Sequence, residues 1–382
     1  MLQRFITHSS AEPRLLPEKL PFRGSLRKKS SITGCGEHKA GQTGTFSEAA
    51  DRARFRPGLL SLARLLPQTV SSLVLSLLFA VATIPLVRGA EGTIETAALE
   101  TSDGVGLSLS FYPPAGDSIA TVLLVHDVGG SHASVRELAT GLQRAGCAVA
   151  VPDLRGSGGS TGGGQRAGGS SLKRNELLMI AGAGGGSIRS QARIRGDLET
   201  VRNWLKAKEQ EGDVDLERFC VIGSGLGGTL AALWTAADWG WQPITRGPQG
   251  QDVDGLILIS PVWADKGISI NKALGARALI DRRPVKPLLE HLPVMIIAGE
   301  DDSQAERLFK TFQQARPTSW YQQLADGTKS QADSERRGAT GPIVFVQIKS
   351  ILRADKLATL PTGDRTPDRI CNWFISDVLG KE

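Results

Sequence analysis

Residues 220–234, CVIGSGLGGTLAALW, read as a buried strand, a glycine-rich turn and a helix. Two chemistries use that layout. Gly223, Gly225 and Gly228 spell G-x-G-x-x-G, the turn that lays a dinucleotide pyrophosphate on a helix N-terminus. Gly223, Ser224, Gly225, Leu226 and Gly227 also fit the tight strand–turn–helix written G-x-S-x-G, which presents a serine hydroxyl for attack, with glycine at the place of the serine. The dinucleotide reading requires an acidic residue ending the next strand, about 20 residues on, to hold a ribose. Asp252 and Asp254 lie near that distance but precede the strand GLILIS, which ends in Ser260 and Pro261. The motif also follows two strand–helix units instead of opening the first. Its context favours the nucleophile turn.

The flanking sequence supplies the elements that must position such a turn. TIETAALE and GLSLSFYPP, separated by SDGV, predict an antiparallel hairpin. IATVLLVHD is an apolar run suited to a central strand, SVRELATGLQRAG a helix, and CAVAVPDLR a further strand. The latter empties into a glycine-rich insertion at about 156–190, inside which LKRNELLMIA reads as a short helix. Leu198, Val201 and Leu205 form one apolar helix face. GLILIS, PVMIIAG and IVFVQI are three more strands, with a helix over 304–314 and a closing helix in DRICNWFISDVL. The polar stretch 317–341 reads as a loop or lid. Strands alternating with helices after a leading hairpin imply an α/β class.

In that order the pieces resemble the α/β-hydrolase superfamily over roughly residues 95–380. VLLVHDVGGS resembles its strand-and-oxyanion-loop segment, VAVPDLRGSGGSTG its next strand and loop, VIGSGLGG the nucleophile elbow, and PVMIIAGEDD the acid-bearing strand end. IVFVQI resembles the last strand. The resemblance implies an α/β-hydrolase fold, with a mostly parallel sheet of about eight strands and helices on both faces.

The implied site is incomplete. The nucleophile position is Gly225, which has no side chain, and Ser224 stands one residue early, where side chains of the superfamily point away from the catalytic face. A Ser-His-Asp site needs an imidazole to take the hydroxyl proton, and the resemblance places it after the last strand. The chain's histidines are His8, His38, His126, His132 and His291, all earlier; the expected location holds Ala354, Asp355 and Lys356. Asp302 (or Asp301) matches the acid position, where without a histidine it reads as a helix N-cap. The resemblance further implies oxyanion donors at the N–H groups of Val128 and Leu226. It gives His126 a loop-supporting role, and it makes Asp127 a departure from the usual glycine that adds negative charge. His132 is a candidate for lining the cup or for a structural role.

Composition bounds the partners. Residues 1–90 carry 13 Lys/Arg against 5 Asp/Glu, while the rest carry 32 against 34. The basic excess is confined to the leader, and no nucleic-acid partner is expected. Residues 1–64 read as a basic, disordered leader. Residues 65–87 lack any charge and are long enough to span a bilayer, for which roughly 20 residues suffice. The segment 65–90 reads either as a signal-peptide h-region cut after Gly89 or Ala90 or as an uncleaved anchor contacting the membrane. The domain at 91–382 is then exported, periplasmic or extracellular, or else held at the inner membrane. Cys147, Cys220 and Cys371 read as buried free thiols, and no ligand spacing suggests a metal or cofactor. The expectation is an exported, catalytically degenerate hydrolase-fold protein that binds a small molecule above Gly225 or a partner. The alternatives are an active esterase, dienelactone-hydrolase or acyl-peptidase type enzyme using Ser224, and a structural envelope protein with a filled cleft.

Overall fold

The computed structural model describes residues 93–160, 172–182, 196–241, 249–280, 282–323, 329–331, 341–360 and 366–380. The leader, the apolar segment 65–90 and most of the glycine-rich insertion lie outside the described residues. Among those described, no helix is long and apolar enough to cross a membrane.

The chain lays down strands β1 (Glu95–Glu100), β2 (Gly106–Tyr112), β3 (Ala120–Val125), β4 (Cys147–Pro152), β5 (Phe219–Ser224) and β6 (Gly255–Ile259). Two short hairpins follow, β7 (Ala264–Asp265) with β8 (Ile268–Ser269), and β9 (Ala278–Ile280) with β10 (Arg283–Val285). Then come β11 (Val294–Ala298), β12 (Trp320–Gln323), β13 (Lys329–Gln331) and β14 (Ile343–Gln347). The main sheet has ten strands in the order β1-β2-β4-β3-β5-β6-β11-β14-β12-β13. From β4 to β12 the pairing is parallel, and β1, β2 and β13 are antiparallel.

The helices are α1 (Arg136–Arg144), α2 (Arg174–Ile180), α3 (Asp197–Glu211), α4 (Gly225–Trp239), α5 (Asn271–Gly275), α6 (Pro287–Glu290), α7 (Ser303–Ala315), α8 (Ala354–Ala358) and α9 (Pro367–Trp373). Because side chains alternate along a strand, the central strands feed two cores. Val221 of β5, with Leu198, Leu230, Trp234 and Phe312, belongs to one; Cys220 and Ile222, with Leu138, Leu142, Leu357 and Phe374, belong to the other. Both faces being covered explains why β3, β5, β6 and β11 read as unbroken apolar runs. The three described cysteines are free and buried, and burial pushes their thiols up, that of Cys147 to about 12.

The sheet is wider than the expected eight strands. The stretch read as a loop or lid contributes β12, which lies between β14 and β13, and the outermost strand β13; both are short and lack an apolar run, so periodicity carries no signal for them. The two hairpins between β6 and β11 and the short α8 were likewise without a sequence signal.

Candidate functional site

β5 runs into α4 through Gly225, whose φ of +56° lies in the left-handed region that an L-residue enters only with strain. The neighbouring glycines answer to space. A Cβ on Gly223 would stand 2.5 Å from Gly228 Cα, and one on Gly227 would overlap the carbonyl oxygen of His126. Strand, helix and the loop after β3 therefore meet backbone to backbone. β5, the turn at Gly225 and α4 thus form a tight strand–turn–helix.

What stands over it was not foreseen. A Cβ on Gly225 would overlap Cγ and Oδ1 of Asp127 and lie 2.8 Å from its Oδ2. The Asp127 carboxylate fills the volume a nucleophilic side chain would need. Its Oδ1 accepts hydrogen bonds from Leu226 N–H at 2.8 Å and Val128 N–H at 2.9 Å, the pair the resemblance implies as oxyanion donors. Burial lifts the Asp127 carboxyl above its ordinary range, the Leu226 N–H opposes that, and Asp355 adds to it. Above the turn, Val262 N–H donates to the Gly225 carbonyl at 3.3 Å and Thr229 Oγ1 donates to the Val262 carbonyl, folding the segment after β6 over the elbow. Gly225 and Ser224 are both buried.

The position after β14 where a base is expected is taken by Asp355. Its Oδ1 accepts from Asp127 N–H at 2.9 Å and its Oδ2 from Ser134 Oγ at 2.5 Å, so it braces the loop. The preceding Ala354 has φ +50°, a strained value for alanine, as the chain turns into α8. Ser224 ends β5 on the face opposite α4, and its buried Oγ has no hydrogen-bond partner. Asp302 caps α7, its Oδ1 accepting from Ala305 N–H at 3.2 Å, while its buried Oδ2 has no partner.

His126 is fully buried. Leu154 N–H donates to its Nε2 at 3.1 Å, and its Nδ1 lies 2.7 Å from the Asp127 carbonyl. A backbone amide can only donate, so Nε2 must accept and Nδ1 carries the proton. Burial holds this imidazole below its ordinary pKa, in the neutral form. His132 is partly exposed and sits in a different setting. Its N–H and Nδ1 both reach the buried Asp153 carboxylate, at 2.6 and 3.0 Å, and Asp153 also takes Gly159 N–H at 2.8 Å. Asp153 escaped the sequence reading as a partner. The available signal was its place at the end of β4, because β4 pairs with β3 and residues beyond both strand ends must meet.

The acids that the dinucleotide reading required are used elsewhere. Asp252 pairs with Arg202, and Asp254 accepts Phe219 N–H at 2.9 Å. Among the described residues no group of three or more His, Cys, Asp or Glu could hold a metal ion. Two cavities lie away from the elbow. One of about 250 Å³ sits between α1 and the start of α9, beside Glu137, Arg144, Thr359 and Asp368, and one of about 190 Å³ lies beside Phe309, Gln313 and Phe345.

The model of the alpha/beta hydrolase family matches residues 122–372. An esterase of Pyrococcus furiosus is similar at 15% identity, with 76% of this chain and 94% of that one covered and a TM-score of 0.47. Carboxyl esterase 2 of the fungus Tuber melanosporum is similar at 14%, covering 80% and 98%, with a TM-score of 0.46. A dienelactone hydrolase of Anabaena variabilis is similar at 14%, covering 75% and 97%, with a TM-score of 0.42. Comparison with curated proteins gave no match.

Proposed function

Because the chain belongs to the alpha/beta hydrolase family, yet carries no nucleophile at the elbow, we propose that it is a non-catalytic member that acts by binding a partner or a small molecule. Acyl transfer on this scaffold needs a hydroxyl, a base to take its proton and two N–H groups aimed at the developing oxyanion. Gly225 stands for the first and Asp355 for the second. The third is consumed, and this carries the reading: Asp127 Oδ1 takes both N–H groups within the chain. A carbonyl substrate would have to displace a carboxylate to reach them. Ser224 offers no substitute, since its hydroxyl is buried without a base in contact.

The uncharged stretch 65–87 supports export of this domain. Expression in a secreting host followed by mass analysis of the mature N-terminus is expected to show cleavage after Gly89 or Ala90. Retention of the full chain in the membrane fraction would replace cleavage with anchoring.

The activity test is direct. The full chain is treated with a fluorophosphonate probe and assayed on short-chain p-nitrophenyl esters. No labelling and no turnover above buffer are expected. Labelling of Ser224, with turnover abolished in Ser224→Ala, would overturn the proposal in favour of an active esterase.

A further inference from the structure

The notch above Gly225 is built as an anion cup and is already occupied. Leu226 N–H stands in the first turn of the 15-residue helix α4, where unpaired amides and the helix dipole favour negative charge. Val128 N–H arrives from the loop after β3. Both donate to one point, Asp127 Oδ1. The occupant is held from behind as well. Asp127 N–H donates to Asp355 Oδ1, and Ser134 Oγ donates to Asp355 Oδ2, so α8 grips the loop at residues 127 and 134. Gly130, between them, leaves room for this grip, since a Cβ there would stand 2.5 Å from Asp355 Oδ2.

We propose that Asp127 is an intramolecular ligand, and that the cup beneath it is a latent site for a small external carboxylate, kept shut by this side chain. The proposal rests on the non-catalytic reading, because hydrolysis would require the same two donors for its substrate. A tethered carboxylate competes at an effective concentration on the order of millimolar or more. Exchange in the intact chain would also leave two carboxylates, the displaced one and the incoming one, beside Asp355. Neutral His126 offers no compensating charge. Where the Asp127 carboxylate is absent, an incoming anion simply restores the charge that was lost.

The test uses the full chain, as wild type, Asp127→Gly and Asp127→Asn, titrated with acetate and butyrate and followed by calorimetry and thermal shift. Saturable binding is expected in Asp127→Gly, at least about tenfold tighter than in the wild type. Asp127→Asn is expected to stay shut, since its carboxamide oxygen can accept both N–H groups. Absence of saturable binding in Asp127→Gly, or equal affinity in the wild type, would overturn the proposal. Should Asp127→Gly fail to fold, hydrogen exchange on the wild type decides. Protected Val128 and Leu226 amides, unchanged by excess acetate, support an occupied cup, and exchange at the rate of exposed amides refutes it. Ester turnover by the wild type would instead strike the non-catalytic reading, so the two failures are distinguishable.

Discussion

Gly225→Ala is the sharpest probe of the elbow, because two separate costs meet at one methyl group. The first is conformational: an L-residue at φ +56° loses about 1–2 kcal/mol against glycine. The second is steric. The new Cβ overlaps the Asp127 carboxylate, and relief requires that group to leave the Val128 and Leu226 N–H groups. Hydrogen bonds to a charged acceptor contribute about 1.5–3 kcal/mol each, discounted here because Asp127 is only partly buried and water can re-solvate it. A total loss of about 4 kcal/mol is expected, measured as the shift in urea midpoint at constant slope.

The double-mutant cycle with Asp127→Gly separates the two costs. Once the carboxylate is gone, Gly225→Ala should cost only its conformational part, giving a coupling of about 2 kcal/mol or more. Additivity of the two substitutions within about 0.5 kcal/mol would refute the overlap. Gly225→Ser should show the same destabilisation and no esterase activity, since Asp355 stands in the position of the base.

Four further outcomes are expected. Ser224→Ala removes a buried hydroxyl that has no partner, so stability should hold or rise by up to about 1 kcal/mol; a clear loss in thermal melting would mean that the hydroxyl is satisfied. Ala354→Gly relieves a positive φ and should raise stability by about 0.5–1 kcal/mol, read as a small increase in Tm. Glu199, which accepts from Trp234 Nε1, is raised by burial to about 7, and Asp238 by burial to about 6. A folded carboxyl raised above its unfolded value contributes stability that is full below about pH 4.5 and is lost as pH rises through 7, about 3 kcal/mol at most for Glu199. Glu199→Gln should therefore flatten the decline between pH 5 and 8, as followed by urea unfolding across that range. Arg155→Ala strands the fully buried Asp197, which pairs with it at 2.5 Å, and should cost about 3–5 kcal/mol; a loss below 1 kcal/mol in the same assay would show that Asp197 finds another partner or is neutral.

Much of the architecture was legible because its signals are local. Buried parallel strands must be apolar along their whole length, so VLLV, AVAV, CVIG, LILI and VMIIA announce the sheet. The short strands β12 and β13 and the short α8 depend on neighbours across the fold, and composition does not encode neighbours. The glycines at 223, 227 and 228 likewise read as an elbow, since only a turn pressed between strand and loop requires so many residues without a Cβ. That Gly225 lacks a reacting group, and that nothing after β14 is a histidine, follow from the letters alone.

What the letters do not contain is where the unused space goes. Asp127 read as an unfavourable negative charge near an anion cup, and Asp355 as an ordinary residue in place of a base. Only the pairing of β3 with β5, which carries the loop after one strand over the turn after the other, puts the Asp127 carboxylate above Gly225 and onto the Leu226 amide 99 residues away. Only the placement of α8 brings Asp355 onto the backbone of that loop, 228 residues from Asp127. Sequence determined the turn and which side chain stands at each of its positions, because backbone sterics and side-chain identity are local. Tertiary structure decided that the vacancy is filled by the protein's own carboxylate, because a hydrogen bond depends on which atoms the folded chain brings within 3 Å.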